Sequence, residues 1–553
     1  MNIRTFSKKY LVKYKLTILG TFLLALIVWT SNIGITYITG QYIDSLISNI
    51  SIKSIYNFSI ILFVLSLLRI LIGFLNNILF SKLQVNMAFN VNFDILQHVK
   101  KLPIKFFKNI DSVYLNQRIN SDSNTIVNFL ISLFTQLMIQ IICSLIVLSI
   151  LFTKNLIFTF IIIVSLPIYL ILYFIFDKKL YKTNLIFKEK QNSLFSSMHK
   201  QLKSISYIKL NSLFDSLDNE LLKGYPKFFN ALINYIKCSY CFESIESVIS
   251  SLFNIILFFY GGILIYNKKL TIGDFIIIKS YYEILLQSVI YFTGVLKSYP
   301  DAKVSYNRIF EILDTKLESN GDIRLNDIDS IELKNIAIEF DGRNIINNFN
   351  YVFEKGNVYL IKGNNGSGKS TLVKLLLGLY IEEFKGDVIY NNTNIKDIDM
   401  YYVRQKLISI MDQEPLLLHS DFYKNITQNL NEVDNKTSEL IDNMINDINL
   451  KLNKNNESGT ILNSNNDFSG GEKQKIALIR AIAKDPDIIV MDEPTSALDR
   501  ETTNFLIEKI KTLKKNKIIL IVSHDEKLNC LADKVIHIEI QDKIESINMN
   551  YSP

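Results

Sequence analysis

Six stretches of the chain carry about twenty consecutive, mostly apolar residues each, the length an α-helix needs to cross the hydrocarbon core of a bilayer. They cover 16–38, 55–80, 129–152, 156–176, 245–266 and 272–296. Six spanning helices are therefore predicted. Only Thr153, Lys154 and Asn155 separate the third from the fourth, so these two form a tight hairpin. The second-to-third and fourth-to-fifth connections are long, helical in period and polar on one face. Their helices should run well past the bilayer. After residue 296 the pattern changes. Ser319-Asn-Gly-Asp322 reads as a linker, Ile331 to Phe340 alternates like a strand, and short apolar strands follow at 358–361, 488–491 and 518–522. The predicted layout is a six-span α-helical domain over 1–315, a linker over 316–330 and an α/β domain over 331–553.

With 553 residues, more than one folding unit is expected. The apolar fraction of 49% and a mean hydropathy of +0.20 agree with part of the chain lying in lipid. Charge divides the same way. Residues 1–315 hold 31 Lys and Arg against 16 Asp and Glu, whereas 316–553 hold 29 against 37. A basic front half could serve nucleic acid, but here the cations flank the apolar runs and suit an anionic inner leaflet. Nucleic acid is not an expected partner.

Orientation follows from where those cations sit. Arg4, Lys8, Lys9, Lys13 and Lys15 precede the first span. Lys82, Lys100, Lys101, Lys105, Lys108 and Arg118 fill the second-to-third connection, and eleven lysines lie between Lys178 and Lys237. The N-terminus, both long connections and the C-terminal domain are expected in the cytoplasm. The first apolar run is too long for a cleavable signal peptide and lacks a small-residue cleavage site.

Cys143, Cys238, Cys241 and Cys530 are the four cysteines. Cys238 and Cys241 have C-x-x-C spacing, but no second pair completes a zinc site, so free thiols are expected. Ionisable residues inside the spans include Arg69, Lys279 and Glu283. Lys279 and Glu283 share one helix face, and a substrate cavity or a structural ion pair would both explain them. For Arg69, mid-way along the second span, a structural or snorkelling role is preferred to a cavity.

The α/β half carries the chemistry. Gly363-Asn364-Asn365-Gly366-Ser367-Gly368-Lys369-Ser370 follows an apolar strand and opens a helix through Thr371. That is the G-x-x-x-x-G-K-[ST] phosphate loop in its required context. The loop's N–H groups converge on phosphates at a helix N-terminus, Lys369 holds the β- and γ-phosphates, and Ser370 ligates Mg²⁺. Downstream, Ile488-Ile-Val-Met-Asp492-Glu493 is a strand ending in two carboxylates. Asp492 is placed for the Mg²⁺ shell, and Glu493 for orienting or deprotonating the attacking water.

Between these motifs stands Phe468-Ser469-Gly470-Gly471-Glu472. It resembles the LSGGQ signature of ATP-binding cassette proteins, with Phe for Leu and Glu for Gln. Other family elements follow in order. Gln413 resembles the Q-loop, Ser496-Ala-Leu-Asp499 the D-loop and His524 the switch histidine, and Phe340 lies where an aromatic stacks on adenine. In the membrane half, Leu102-Pro-Ile-Lys-Phe-Phe107 with Arg118 and Asp122, then Ile205 to Asn211, resemble the surroundings of the two coupling helices. Val304 to Asp314 resembles the exporter connection into the ATPase. The resemblance covers nearly the whole chain, and it is to exporters with fused membrane and nucleotide-binding domains. It departs where the polar, Asn-rich stretch 458–467 replaces a T-x-V-G-E-like segment.

The resemblance implies a P-loop ATPase domain with the cassette's helical subdomain, using ATP and Mg²⁺. It implies a dimer in which ATP is held between the phosphate loop of one chain and Ser469, Gly470, Gly471 and Glu472 of the other, with Ser496 and Asp499 at the junction. Ser370, Gln413 and Asp492 would surround Mg²⁺; Glu493, His524 and Gln413 would serve hydrolysis. A homodimer is favoured because every hydrolytic element is present, although the intact half of a heterodimer would read the same. The expected function is ATP-driven export of an amphipathic molecule, whether peptide, lipid-like or drug-like, with peptide preferred. An ATP-gated channel on the same fold is the alternative. A soluble ATPase on nucleic acid is disfavoured by six spans. About 15 residues precede the first span, so no fused peptidase is expected. Abundant Asn, Ile and Lys suggest an AT-rich genome and the plasma membrane of a low-GC bacterium.

Overall fold

The computed structural model describes residues 3–48, 51–108, 110, 115–116, 118–340, 343–417, 422–428, 435–450 and 468–538. The Asn-rich stretch 458–467 lies outside them. The chain forms two compact units, Met1–Lys100 with Asp111–Thr315, and Lys101–Ile110 with Lys316–Pro553.

Six helices of the first unit are long and apolar enough to span a membrane: Lys15–Ile47, Ile52–Val99, Arg118–Lys154, Leu156–Lys203, Phe214–Tyr266 and Ile272–Asp314. Each contains one predicted apolar stretch. Their lengths bear out the expected extensions, because 48 residues of α-helix reach about 72 Å, more than twice a hydrocarbon core. The hairpin turns at Asn155, whose side chain accepts the N–H groups of Ile157 and Phe158 and caps the fourth span. Apolar residues of the third to sixth spans, with Ile33 of the first, form a buried cluster that includes Val147, Phe158, Leu257 and Ile277. No residue in the most apolar window of the second span is buried, so that part of the helix is built to face lipid or another chain, whereas Leu83, Met87, Val91 and Ile95 further along are buried.

At the ends away from the long extensions, the first and sixth spans cross backbone to backbone. Asp44 accepts the Gly273 N–H at 2.7 Å and the Thr271 hydroxyl at 2.6 Å, satisfying an orphan donor and opposing the helix dipole. Lys154 pairs with Asp274 one residue on, at 2.6 Å. A Cβ on Gly273 would fall on the Gly40 carbonyl oxygen and the Asp44 carboxylate. Gly273→Ala should therefore force the two spans apart and cost about 1–3 kcal/mol, as overpacking does. Thermal unfolding of the purified protein checks this, and an unchanged midpoint would contradict the close crossing.

The second unit is built on two sheets. One is antiparallel, in the order β2-β1-β4-β5: β1 (Ser330–Phe340), β2 (Arg343–Glu354), β4 (Phe384–Tyr390) and β5 (Thr393–Asn394). The other is parallel, in the order β6-β7-β8-β3-β9: β3 (Val358–Lys362), β6 (Ile408–Met411), β7 (Ile488–Asp492), β8 (Ile518–Val522) and β9 (Lys534–His537). Nearly every residue of β3, β7 and β8 is buried, as central parallel strands covered on both faces require. The stretch expected as a linker is pinned rather than loose. Gly321 donates to the Ile398 carbonyl at 2.9 Å, and Asp399 donates to that of Ile323 at 2.8 Å. The short helix Ile104–Lys108, inside the range expected for the six-span domain, folds with this unit instead, and the Lys101 carbonyl accepts the Glu318 N–H at 2.8 Å.

Candidate functional site

Parallel pairing puts the C-terminal ends of β3, β7 and β8 at one edge. Ile361 of β3 and Asp492 of β7 both stand level with Val522 of β8. The loops leaving these three strands therefore meet, which is where ligands bind in open α/β sheets. A cavity of about 400 Å³ opens there. Asn365, Gly366, Ser367, Gly368, Lys369, Ser370 and Thr371 from the phosphate loop line it with Gln413, Asp492, Glu493, Ser496 and His524. Residues from five separate sequence motifs are thus brought into one space.

Gly368 caps the helix Lys369–Leu376 at φ +100°, and a Cβ there would lie 2.9 Å from the Ile345 side chain. Only glycine takes that turn freely. The first bond into the helix runs from the Leu372 N–H to the Gly368 carbonyl, so the N–H groups of Lys369, Ser370 and Thr371 have no carbonyl one turn back. The buried Ser367 hydroxyl likewise has no partner. Lys369 Nζ sits on the Gly363 and Asn364 carbonyls at 2.7 and 3.0 Å. Unsatisfied donors around a lysine make a site for an anion such as triphosphate.

The opposite wall is acidic. Burial pushes the Asp492 carboxyl up, and the neighbouring Glu493 and Asp412 carboxylates push it further, against the pull of Lys369 and Lys374. A divalent cation would relieve that crowding. Among the described residues no group of three or more His, Cys, Asp or Glu could hold a metal. Mg²⁺ that shares its shell with substrate phosphates needs only one or two protein carboxylates, which this donor set supplies. Glu493 lies at φ +46°, held by its N–H bond to the Val522 carbonyl at 2.8 Å, and Ser523 Oγ donates to its carboxylate at 3.4 Å. A side-chain-bearing residue in the left-handed region is strained, and such strain concentrates at working sites.

Other predicted residues lie apart from the cavity. Ser469 caps the signature helix Gly470–Ala483 through a capping box: its hydroxyl and its N–H each donate to Glu472 at 2.8 Å, and the Glu472 N–H returns to the Ser469 oxygen at 3.3 Å. Glutamate in place of glutamine thus keeps the cap. Phe468 packs against the neighbouring apolar core, where leucine would do the same. None of Ser469, Gly470, Gly471 and Glu472 lines the cavity, so phosphate loop and signature do not meet in one chain. Asp499 is also outside. It caps the helix Arg500–Leu513 and pairs with Lys475 at 2.6 Å, and this hydrogen bond holds its carboxyl down to about 2. Phe340 stacks edge-on against Tyr380, outside the lining. In the membrane unit, Lys279 and Glu283 form an ion pair at 3.3 Å. Arg69 lines a separate cavity of about 590 Å³. The four cysteines are free thiols.

One residue the motifs do not name ties the site together. Gln474 is buried on the signature helix, donates to Ser496 Oγ at 2.7 Å and to the Gln413 carbonyl at 3.4 Å, and accepts the Ala497 N–H at 3.0 Å. Its sequence signal is an amide on the face that continues through Ala477 and Leu478 into the core. Gln474→Leu should cost about 1–3 kcal/mol in stability by stranding buried polar groups. It should also lower kcat while leaving the KM for ATP near wild type, because Gln474 does not line the cavity. Steady-state kinetics test this, and an unchanged kcat would count against a positioning role.

A family model described as ABC transporter transmembrane region matches residues 17–289, and one described as ABC transporter matches 346–496. This chain belongs to the ATP-binding cassette transporter family. It is a multi-pass membrane ATPase of the exporter type. The transporter is 25% identical over 555 residues to the Transport/processing ATP-binding protein ComA of Streptococcus pneumoniae, covering 97% of this chain and 75% of that one. It is 26% identical over 560 residues to the sublancin-168-processing and transport ATP-binding protein SunT of Bacillus subtilis, covering 98% and 77%. A lactococcin transport/processing ATP-binding protein of Lactococcus lactis is 23% identical, with 97% and 75% covered. In fold the transporter resembles a bacterial Atm1-family ABC exporter with ATP bound, at a TM-score of 0.82 and 16% identity over 96% of this chain and 95% of the other. These matches give no support to the gated-channel alternative.

Proposed function

We propose that two copies of this transporter act as a pair that hydrolyses ATP to move a peptide, or another amphipathic molecule, out of a bacterial cytoplasm across the plasma membrane. The observation that carries this reading is the division within one chain. The hydrolytic residues share a single cavity, while the signature lies outside it. A second chain, facing the first head to tail, would supply the missing wall. The nucleotide would then lie between the phosphate loop of one chain and the partner subunit's Ser469, with Asp499 at the junction.

In this arrangement Lys369 and the free N–H groups bind the triphosphate, and Phe340 turns toward the adenine. Ser370, Asp492 and Gln413 are the residues that would hold Mg²⁺, which when bound neutralises charge across the β- and γ-phosphate oxygens. Glu493 orients the water and takes its proton, and His524 holds the phosphate that leaves. ATP thereby joins the two chains and hydrolysis parts them, biasing an equilibrium between inward- and outward-open membrane halves. The segment Lys101–Ile110 leaves one spanning helix and returns to another, yet folds with the ATPase unit, which suits it to transmit closure. The cations flanking the spans favour a cytoplasmic ATPase domain.

Peptide cargo is favoured because relatives covering 97–98% of the chain are named for transport of sublancin-168 and lactococcin. The test is purified transporter in vesicles with the ATPase domain outward. ATP-dependent uptake of a candidate peptide, with hydrolysis stimulated by it, is expected. Nucleotide-independent flux would point to a channel and overturn the reading. A small precursor peptide encoded beside the gene would identify the candidate.

A further inference from the structure

We infer that the groove around Arg69 is a receptor for a carboxylate carried by the exported molecule; this rests on the exporter reading. Arg69 stands mid-way along the apolar stretch 55–80, where a charge is costly unless something compensates it. It meets a neutral partner: Nη1 donates to Asn32 Oδ1 of the first span at 2.7 Å. Among the described residues no carboxylate lies within ion-pair distance of it. Two other cations in or beside the spans are matched, Lys279 by Glu283 at 3.3 Å and Lys154 by Asp274 at 2.6 Å. Arg69 therefore brings a net positive charge to the cavity.

The surroundings suit an acid with an apolar body. The groove has about 590 Å³, within the range of small-ligand sites. Trp29 and Phe74 give it aromatic walls, and Asn32 and Asn77 supply amides. Gly73, one turn from Arg69, leaves open space where a side chain would stand. With one N–H spent on Asn32, the guanidinium keeps enough donors for a bidentate carboxylate, the geometry arginine serves best. The depth argues against a lipid phosphate, which belongs at the bilayer surface. Peptides carry such a carboxylate at the C-terminus or on acidic side chains.

Trp29 is the chain's one tryptophan, so intrinsic fluorescence reports on this groove directly. The experiment titrates the full-length transporter in phosphatidylcholine nanodiscs with N-acetyl-Leu-Leu-Phe as the free acid and as its C-terminal amide. The acid should change Trp29 emission saturably and bind at least about tenfold more tightly than the amide. Arg69→Gln should abolish that preference, and Arg69→Lys should restore part of it, with basal ATP hydrolysis unchanged in both. Equal binding of acid and amide, or a preference surviving in Arg69→Gln, would overturn the proposal. So would saturation of the signal by phosphatidylglycerol alone, which would mark a lipid site. Loss of basal hydrolysis or of the dimer in Arg69→Gln would assign Arg69 to the chain-to-chain interface instead. Vesicle uptake separates the two readings. If both peptides are carried equally, only this inference fails; if ATP drives neither them nor any other amphipathic cargo, the exporter reading fails.

Discussion

Glu493→Gln should reduce phosphate release by about a hundred- to ten-thousand-fold, the range that positioned general bases contribute, while leaving ATP binding intact. The substitution is nearly isosteric. Glutamine can still accept the Ser523 hydroxyl that lies 3.4 Å from the carboxylate, and the N–H bond to the Val522 carbonyl is unaffected. The left-handed backbone at φ +46° is no harder for glutamine than for glutamate. What disappears is the group able to take a proton from water. One negative charge also leaves a wall where Asp492 is already pushed toward neutrality, so ATP affinity should hold or rise. In a pair joined by uncleaved ATP, the closed state should then accumulate. Phosphate release, measured beside the nucleotide retained on full-length protein after gel filtration, checks both halves. Release within a few-fold of wild type would remove Glu493 from the mechanism.

How much of this was legible in the sequence depends on the range of the interactions involved. The spans were, because about twenty apolar residues in lipid leave few alternatives to a helix. The extended helices were also legible, through the polar faces of their connections. The phosphate loop and the acids at Asp492 and Glu493 were readable because strand, turn and helix are neighbours in the chain. Contacts between distant segments were not. Nothing in the periodicity of 101–110 says that it folds with the ATPase unit, since its partner Glu318 is more than two hundred residues away. Gln474 reads as an ordinary helix residue until Ser496 and Gln413 are brought beside it. Arg69 favoured a structural role on sequence grounds, and only the pairing of the first two spans shows Trp29, Asn32 and Gly73 gathered around it.

Lys369→Ala should weaken ATP binding by about a hundredfold. Hydrogen bonds to charged groups contribute about 1.5–3 kcal/mol each, and a loss of about 2.7 kcal/mol corresponds to that factor. The gross interaction with two phosphates is larger, but part of it is offset. Without nucleotide the ammonium already donates to the Gly363 and Asn364 carbonyls, and those bonds must loosen when it turns to phosphate. A second effect follows from charge. Lys369 is one of the cations that draw the Asp492 carboxyl back toward its ordinary range, so removing it lets burial, Glu493 and Asp412 push that carboxyl higher still. Mg²⁺ needs the ionised form. The acid side of Mg²⁺-dependent ATP binding should therefore move to higher pH in Lys369→Ala, and Mg²⁺-independent binding of nucleotide should show no such movement. Titrating the full-length variant with a fluorescent ATP analogue across pH, with and without Mg²⁺, separates the two effects. Affinity close to wild type would refute the phosphate-loop role of Lys369. A hundredfold loss with an unmoved pH profile would keep that role and remove the coupling to Asp492.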